Sequence, residues 1–396
     1  MKPFLIPIIN LLLLVGLFSG RAFGQEADIK LVKEFEGGKL YQAGGIDLLE
    51  LNGSYHQMGR QYGGLLKQKI DKFYDLAIEK HYIERLGISY ELIKGFSEEA
   101  AGFYPERFKA LMTGLSQASG MPLEKILILE QILAIQFIQA EAGECSAIAA
   151  WGQYTGGQPL LLGRNYDSSV EFKDFSSFLN VVIYNPIDDI PVAVICYPGE
   201  VTSFTGINKN GIFFEINEGV KSGGNVIVDD RLILPVEAVN SLLDYTGFKE
   251  FDAAMNTLRS NYAFILQAAD KEAAYSYELS VTDTKKREGV APGILVATNH
   301  FIDPAWGLIA PDDSDDKTVQ RRDNLLALAD QYKGSITPDK MMRIMDRSFY
   351  DRGATWPERT AYQVIVEPDS NRLWIKVPDF QDWTEIKLDR YFKSSD

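Results

Sequence analysis

The spacing of apolar and polar residues divides the chain into a helical first part and a second part made mainly of short strands. A strand-like stretch over 46–54 is followed by long segments in which apolar side chains recur at helical spacing. These helical segments are predicted at 55–86, near 90–118 and at 122–140. We therefore expect residues 47–142 to be mainly helical.

From residue 145 onwards, short apolar runs bounded by turn residues predict strands. The turn Asn208–Gly211 is typical of a hairpin, because asparagine and glycine tolerate positive φ. Runs of strands with helix pairs between them predict an α+β layered sandwich. The predicted strands are 145–151, 159–165, 178–184, 191–197, 202–207, 211–217, 262–268, 274–280, 293–298, 360–367 and 371–377. The predicted helices between them are a pair at 233–259, then 317–331 and 338–348.

The first 24 residues have the pattern of a signal peptide. Lys2 opens a short basic region, an apolar run covers Phe4 to Phe18, and small residues stand at Ala22 and Gly24. The apolar run is shorter than the roughly 20 residues that a membrane-spanning helix needs. We therefore expect residues 1–24 to be removed and the protein to be exported, to the periplasm or the medium.

Composition and charge narrow the classes of partner. The chain has 55 acidic and 40 basic residues, a formal net charge of -15, which argues against nucleic acid and anionic membranes as partners. An acidic cluster at 312–316 lacks the glycine and glutamate spacing of a calcium loop, and we interpret it as a solvated loop. With two cysteines the chain is not a disulfide scaffold. Cys196, in an apolar run, is expected to be a small buried side chain, with a bridge to Cys145 as the alternative.

Cys145 is the candidate nucleophile. It is followed by a predicted strand, a glycine-rich turn at 154–158 and a second strand that ends in Arg164-Asn165-Tyr166-Asp167. A hairpin of this kind would place Arg164 and Asp167 beside the sulfur. The thiolate is the attacking species, and a free cysteine has a pKa of about 8.5, so a cation or a base must assist. Arg164 would supply the charge, although an ordinary loop ion pair between Arg164 and Asp167 is the alternative.

Two kinds of base are compatible with this cysteine. The chain has three histidines, of which His56 and His81 fall at positions suited to exposed helix faces, while His300 follows a predicted strand. A Cys–His mechanism therefore remains open. The second candidate is the α-amine of Cys145 itself, whose ordinary pKa near 7.7–8.0 suits proton transfer around neutrality. That base requires cleavage of the Glu144–Cys145 bond, after which Asp167 would orient the new terminus.

Acyl transfer also needs hydrogen-bond donors for the oxyanion. Asn217 and Asn299 each end an apolar strand-like run and carry suitable side chains. The alternative for each is an asparagine that caps a turn.

The order and spacing of several segments resemble the N-terminal-nucleophile (Ntn) amide hydrolases, in the branch that holds bile salt hydrolase, penicillin V acylase, acid ceramidase and isopenicillin N acyltransferase. The resemblance implies a four-layer αββα sandwich. It also implies a mainly helical pro-segment, 25–144, that stays bound as a small subunit, and a catalytic domain, 145–396. The segments that carry it are Gly53–Gly63, Leu111–Leu115, Ala118–Pro122, the hairpin Cys145–Asp167, Thr205–Gly211 and Thr298–Phe301.

The resemblance also implies roles for individual residues. A late arginine assists in this superfamily, and we assign it to Arg359, with Arg321 and Arg322 as alternatives. The chain departs from the family pattern at Glu144, where the family usually has glycine, so the position of the cleaved bond stays open at this point. By similarity, the nucleophile is Cys145, the neighbouring cation Arg164, the partner of the amine Asp167, the oxyanion donor Asn299 and the contact to the substrate amide Asn217.

We therefore predict a self-processing cysteine amidohydrolase that cleaves linear, non-peptide acyl amides through a Cys145 thioester. An acyl-ester or phospholipid hydrolase, or an acyltransferase, on the same fold is one alternative, and a non-catalytic exported binding protein is the other. Motifs for zinc peptidases, serine hydrolases and phosphate-binding loops are absent from the sequence, so no metal or nucleotide cofactor is expected. The expected partners are a small-molecule acyl amide and the chain's own pro-segment, and a homo-oligomer remains possible.

Overall fold

The computed structural model describes residues 29–138, 144–224, 226–312 and 317–393. The predicted signal peptide and most of the acidic cluster at 312–316 lie outside the described residues. The helix predicted to reach residue 140 can be followed to residue 138.

The larger of the two described sheets has ten strands. Neighbouring strands are antiparallel except β3 and β6, which are parallel. In spatial order the strands are β1 Lys30–Phe35, β2 Gly38–Ala43, β3 Ile46–Gly53, β6 Asn180–Pro186, β7 Val192–Cys196, β8 Thr205–Asn208, β9 Phe213–Glu218, β10 Phe264–Ala269, β11 Ala274–Leu279 and β12 Thr284–Arg287.

The smaller sheet has six described strands, all antiparallel to their neighbours. The hairpin of β4 and β5 pairs Ala147 with Arg164, and β14 on the other side of β5 pairs Thr360 with Asp167. In spatial order the strands are β13 Ile294–Ala297, β4 Ser146–Ala150, β5 Leu161–Asp167, β14 Thr360–Glu367, β15 Arg372–Val377 and β16 Gln381–Lys387.

Helices cover the outer faces of both sheets. The helix α1 (Tyr55–Tyr74) begins at a capping box formed by Ser54 and Gln57 and continues as a π-helix over Asp75–Arg85. The other described α-helices are α2 Tyr90–Gly102, α3 Glu106–Ser119, α4 Leu123–Glu130, α5 Ile132–Ile138, α6 Val170–Lys173, α7 Val220–Gly223, α8 Leu234–Asp244, α9 Phe248–Thr257, α10 Thr318–Gln331 and α11 Pro338–Met345.

Glycines allow α1 and α3 to pack with their backbones in contact. A Cβ atom added to Gly59 would lie 1.9 Å from the carbonyl oxygen of Leu111, and one added to Gly114 would lie 2.2 Å from that of His56. Any larger residue at these positions would force the two helices apart. Gly59, in the second half of the Gly53–Gly63 segment, therefore serves close helix packing.

Side chains alternate between two hydrophobic cores along the smaller sheet. On β4, Ala147 and Ala149 belong to the core shared with the larger sheet, whereas Ile148 and Ala150 face a second core with α10 and α11. The helices α1 and α8 cover the other face of the larger sheet. The predicted α+β fold with four layers, αββα, is thus confirmed.

Several details differ from the sequence-based expectation. The strands β1, β2, β12 and β16 were not predicted, so the part of the chain before Cys145 contributes three strands as well as helices. The segments predicted as single helices near 90–118 and at 122–140 each consist of two helices. His81 is buried, with 5% of its surface exposed, and the expectation of an exposed helix face was wrong. Among the described helices, none has the length and apolar character needed to cross a bilayer.

Candidate active site

Cys145 lies immediately before β4 and is buried, with 3% of its surface exposed. Its Sγ is 3.7 Å from the carbonyl oxygen of Asp167 and 3.8 Å from Nη2 of Arg164. Burial raises the pKa of the thiol to about 11, although the charge of Arg164 opposes the rise. In the intact chain the sulfur is therefore protonated at neutral pH, and its use as a nucleophile requires a base.

Arg164 is fully buried and is held by the larger sheet. Nη1 donates to the carbonyl oxygen of Phe204 at 2.6 Å and to the Thr205 hydroxyl, and Nη2 donates to the carbonyl oxygen of Ile216 at 2.6 Å. Nε lies 3.3 Å from the buried carboxylate of Glu215. The guanidinium thus reaches from β5 across the space between the sheets, and this keeps its direction towards the sulfur fixed.

Glu215 was missed by the sequence analysis. Burial raises its pKa to about 8, while the charge of Arg164 acts to lower it. Glu215 lies two residues before Asn217 on the same face of β9, and a charged residue inside the apolar run Phe213–Ile216 is the signal that could have found it.

Asp167 is a fully buried carboxyl group with one oxygen still able to accept a hydrogen bond. Oδ1 accepts from the hydroxyl of Thr360 at 2.5 Å. Oδ2 lies 3.9 Å from Nη1 of Arg321 and accepts no hydrogen bond within the part of the chain that is described. Burial raises the pKa of Asp167 to about 7, and Arg321 and Thr360 limit the rise.

Arg321, on α10, contacts the peptide bond that precedes Cys145. Its buried guanidinium donates through Nη1 to the carbonyl oxygen of Glu144, and to that of Cys145 at 3.0 Å. Nη2 donates to Oδ1 of Asn299 at 2.8 Å. Among the three late arginines considered from the sequence, this one lies deepest in the site.

The other two late arginines lie further out. Arg359 has a side chain that is 39% exposed, and it binds the carboxylate of Glu144 rather than the peptide group. Arg322 forms an ion pair with the neighbouring Asp323 at 2.8 Å. Two of the three late arginines therefore contact Glu144. Arg321 binds its carbonyl oxygen, and Arg359 binds its side chain.

The two candidate asparagines are both buried and both belong to the polar network around the site. Asn299 donates through Nδ2 to the carbonyl oxygen of Glu218 at 2.9 Å and accepts from Arg321. Asn217 donates through Nδ2 to Glu215 at 3.2 Å, and its Oδ1 accepts no hydrogen bond from the described residues. Neither asparagine makes a hydrogen bond with Cys145 in this state of the chain.

No histidine lies beside the sulfur, and all three histidines are within the described residues. His300 directs Nδ1 to Thr318 at 2.9 Å, His56 directs Nε2 to Gln117 at 3.0 Å, and His81 packs edge-on against Tyr82. The geometry therefore provides no imidazole base for Cys145. Among the described residues there is also no group of three or more His, Cys, Asp or Glu side chains placed to hold a metal ion.

Cys196 and Cys145 are both free thiols, so the alternative of a disulfide between them is not realised. As expected from its apolar run, Cys196 is buried, with 1% of its surface exposed.

A cavity adjoins the part of the larger sheet that binds Arg164. Phe204 contributes its ring to the cavity and its carbonyl oxygen to Arg164. The lining residues come from chain segments before and after Cys145. They are mostly apolar, but Glu130 and Glu200 contribute buried carboxyl groups. The lining residues are Phe96, Glu130, Leu133, Ala134, Glu200, Thr202, Ser203, Phe204, Ile227, Ile233, Pro235, Asn261, Tyr262 and Phe264.

Comparisons with known proteins give partial matches. No protein-family model matches the chain. Protein dcd1B of Dictyostelium discoideum is 26% identical over 188 residues, which is 41% of this chain and 34% of that protein. The chain thus matches only about a third of the length of this curated relative.

Among solved structures, the chain is similar to penicillin V acylase from Agrobacterium tumefaciens, with a TM-score of 0.44 and 10% identity over 63% of this chain and 88% of that one. It is also similar to a mutant of conjugated bile acid hydrolase from Clostridium perfringens, with a TM-score of 0.45, 13% identity and coverages of 62% and 93%. A third is the Caenorhabditis elegans ortholog of N-acylethanolamine-hydrolyzing acid amidase, with a TM-score of 0.43, 14% identity and coverages of 62% and 100%.

Proposed function

We propose that this protein is a self-processing cysteine amidohydrolase that cuts its own Glu144–Cys145 bond and then hydrolyses linear acyl amides. The observation that carries the proposal is the surroundings of Cys145. A buried thiol lies beside a fixed guanidinium, a carboxyl group with an open acceptor and a peptide carbonyl that is already bound by Arg321. These are the groups that acyl transfer to sulfur requires.

The processing step uses the groups that surround Cys145. Sγ of Cys145 attacks the carbonyl carbon of Glu144, and its proton passes through Asp167, whose pKa of about 7 suits a base near neutrality. The charge that develops on the carbonyl oxygen is stabilised by Nη1 of Arg321. The C–N bond then breaks, the nitrogen of Cys145 leaves as an amine with that proton, and water hydrolyses the thioester to a carboxylate and a thiol.

In the processed chain the α-amine of Cys145 is the base for substrate turnover. Its ordinary pKa, near 7.7–8.0, matches proton transfer from a thiol. Oδ2 of Asp167, which accepts no hydrogen bond from the described residues, is available to hold the ammonium. Sγ attacks the amide carbonyl, the amine product departs with the proton, and water releases the acid from the thioester.

The adjoining cavity supports a substrate with an apolar portion. Its lining is aromatic and aliphatic. The free energy of binding would become more favourable by about 25 cal/mol for each Å² of apolar surface that the ligand buries. Phe204 lines the cavity and accepts a hydrogen bond from Arg164, which contacts Sγ of Cys145, so a ligand held there would lie close to the groups around the thiol. This placement favours a small amphiphilic amide over a folded protein as the substrate.

Intact-mass analysis and amide hydrolysis together test the proposal. We expect two fragments, with the second beginning at Cys145, and release of amine from a panel of acyl amides by the wild type. Cys145→Ala should remain a single inactive chain. An uncut wild-type chain that hydrolyses amides would refute the α-amine as base. A wild-type chain that neither cuts itself nor hydrolyses any amide would refute the enzyme proposal and favour a binding protein.

A further inference from the structure

The side chain of Glu144, the residue before the proposed cleavage point, is held by Arg359. Nη1 of Arg359 donates to Oε1 of Glu144, and the two side chains are 39% and 11% exposed. Within the described residues, Glu144 is the only carboxylate that contacts this guanidinium. The charge of Arg359 at this edge of the site is thus neutralised by a residue that belongs to the pro-segment.

The position of Arg359 does not depend on Glu144. Its backbone nitrogen donates to the carbonyl oxygen of Trp356 at 3.1 Å, and its carbonyl oxygen accepts from the nitrogen of Ser168 at 3.1 Å. The next residue, Thr360, donates its hydroxyl to Asp167. These bonds fix the backbone of Arg359 to the end of β5. Movement of the Glu144 side chain away from the site would therefore leave the guanidinium of Arg359 without this carboxylate partner.

The chemistry of the sulfur links Glu144 to the substrate. In processing, the carbonyl carbon of Glu144 becomes bonded to Sγ of Cys145. In turnover, the acyl carbon of the substrate forms the same bond to the same atom. The two thioesters are therefore alike at the sulfur and the carbonyl, and the group attached to the carbonyl points into the same region in both. Glu144 is in this sense the first acyl group that the enzyme accepts.

We propose that Arg359 is a specificity-determining residue that binds a carboxylate at the far end of the substrate's acyl group. From its carbonyl carbon to its side-chain carboxylate, Glu144 has the carbon skeleton of a pentanedioyl (glutaryl) group. The ligand class is accordingly the half-amides of short dicarboxylic acids. The inference rests on the proposed function, because it requires that Cys145 form both thioesters.

A matched pair of substrates tests the inference. Glutaryl p-nitroanilide and pentanoyl p-nitroanilide share the leaving amine and the number of acyl carbons, and they differ in the terminal carboxylate. We expect kcat/KM of the processed wild type to favour the glutaryl compound about fivefold to tenfold, since an ion pair that is partly exposed to water is screened. In Arg359→Gln the ratio should fall to about one or below, and Arg359→Lys should retain part of the preference.

The control for this variant is Arg259→Gln. Arg259 is 43% exposed and forms an ion pair with Asp283 at 3.4 Å, so the substitution removes a similarly exposed and similarly paired guanidinium elsewhere. It should leave the ratio unchanged. Equal rates on the two anilides in the wild type, or an unchanged ratio in Arg359→Gln, would overturn the inference while hydrolysis of either compound still supports the proposed function. Failure to hydrolyse any amide would refute the proposed function itself.

A binding measurement covers the case in which Arg359→Gln is not processed. Glutarate and pentanoate are titrated calorimetrically into processed wild type and into Cys145→Ala, where Glu144 remains bound to Arg359. We expect glutarate to bind processed wild type at least about fivefold more tightly than Cys145→Ala, and pentanoate to show no such difference. Equal affinity of glutarate for the two proteins would overturn the inference.

Discussion

The two thiols of this chain are both buried, but the groups around them differ in charge. Sγ of Cys145 lies 3.8 Å from the guanidinium of Arg164, whereas Sγ of Cys196 lies 3.9 Å from the hydroxyl of Tyr62 and 3.7 Å from the carbonyl oxygen of Glu200. Burial raises the pKa of both thiols. At Cys145 the charge of Arg164 opposes the rise, while at Cys196 the nearby carboxyl group of Glu200 increases it.

The comparison teaches that burial alone does not separate the proposed nucleophile from the other thiol of this chain. Cys145 is 3% exposed and Cys196 is 1% exposed, so both would be classified as core residues. The difference lies in the cation and in the chain position, because Cys145 lies beside Arg164 and follows the bond that we propose is cut, whereas Cys196 ends a strand within the larger sheet.

Exchange of each cysteine for alanine should give the largest contrast. Cys145→Ala is expected to abolish chain cleavage and to lower amide hydrolysis about 10⁴-fold or more, because the attacking atom is lost. Cys196→Ala should be processed and active, with about 1 kcal/mol less stability from the small cavity. Intact mass, amine release and chemical denaturation measure the three quantities. Loss of processing in a well-folded Cys196→Ala would break the distinction.

Removal of the cation beside Cys145 should have the next largest effect. The double variant Arg164→Met with Glu215→Gln removes the ion pair without leaving a buried charge behind. We expect processing to slow about 10²- to 10³-fold, as for loss of a group that stabilises charge in the transition state. Pulse-chase sampling by mass spectrometry gives the rate, and circular dichroism checks the fold.

The matched control is the ion pair near Cys196. Lys69 and Asp47 are 2.7 Å apart with side chains that are 20% and 15% exposed, and Lys69 acts to lower the pKa of Cys196. Lys69→Met with Asp47→Asn should leave the processing rate within about threefold of the wild type. A comparable slowing in this control would show that Arg164 only stabilises the fold and does not stabilise charge in the transition state of processing.

Alkylation should separate the thiols directly. In the processed protein, iodoacetamide at pH 8 is expected to modify Cys145 about 100-fold faster than Cys196, because Arg164 stabilises the thiolate and the terminal amine removes its proton. Peptide mapping at several times of reaction gives both rates. Equal rates in the folded protein would remove the distinction in reactivity.

The smallest effect is expected from the buried carboxyl group of Glu130, near Cys196, on the pH dependence of stability. Burial raises the pKa of Glu130 from its ordinary 4.5 to about 7. Between these pH values the folded chain keeps a proton that the unfolded chain has lost, so the free energy of unfolding falls as the pH rises through this window. Glu130→Gln should reduce that slope by up to about 1.4 kcal/mol per pH unit in urea titrations from pH 5 to 8. The exposed Glu106→Gln is the control, and an unchanged slope in Glu130→Gln would contradict the expectation.

The hairpin around Cys145 could be predicted from the sequence because its parts are local. Two apolar strands and a turn set the register, and that register pairs Ala147 with Arg164. By contrast, Arg321 and Glu215 reach the site from α10 and β9. Their proximity to Cys145 results from the packing of layers, which no spacing along the chain encodes.

Three of the four strands that were not predicted share a position in the fold. The strands β1, β12 and β16 are the outermost strands of their sheets. β1 is exposed at nearly every position, and three of the four residues of β12 are charged. An edge strand that contacts solvent broadly has no strict alternation of apolar and polar residues, and the periodicity that revealed the central strands is therefore missing.

The parallel pairing of β3 with β6 has a consequence for how a processed molecule would refold after denaturation. The ladder runs from Asp47 opposite Asn180 to Gly53 opposite Pro186, and it joins backbone on the two sides of residue 145. A cut at that point would leave the folded molecule intact, yet after denaturation the two pieces would have to find each other in solution. Refolding would then become bimolecular and dependent on concentration, while the uncut chain refolds as one molecule. Maturation would thus make unfolding a nearly irreversible event.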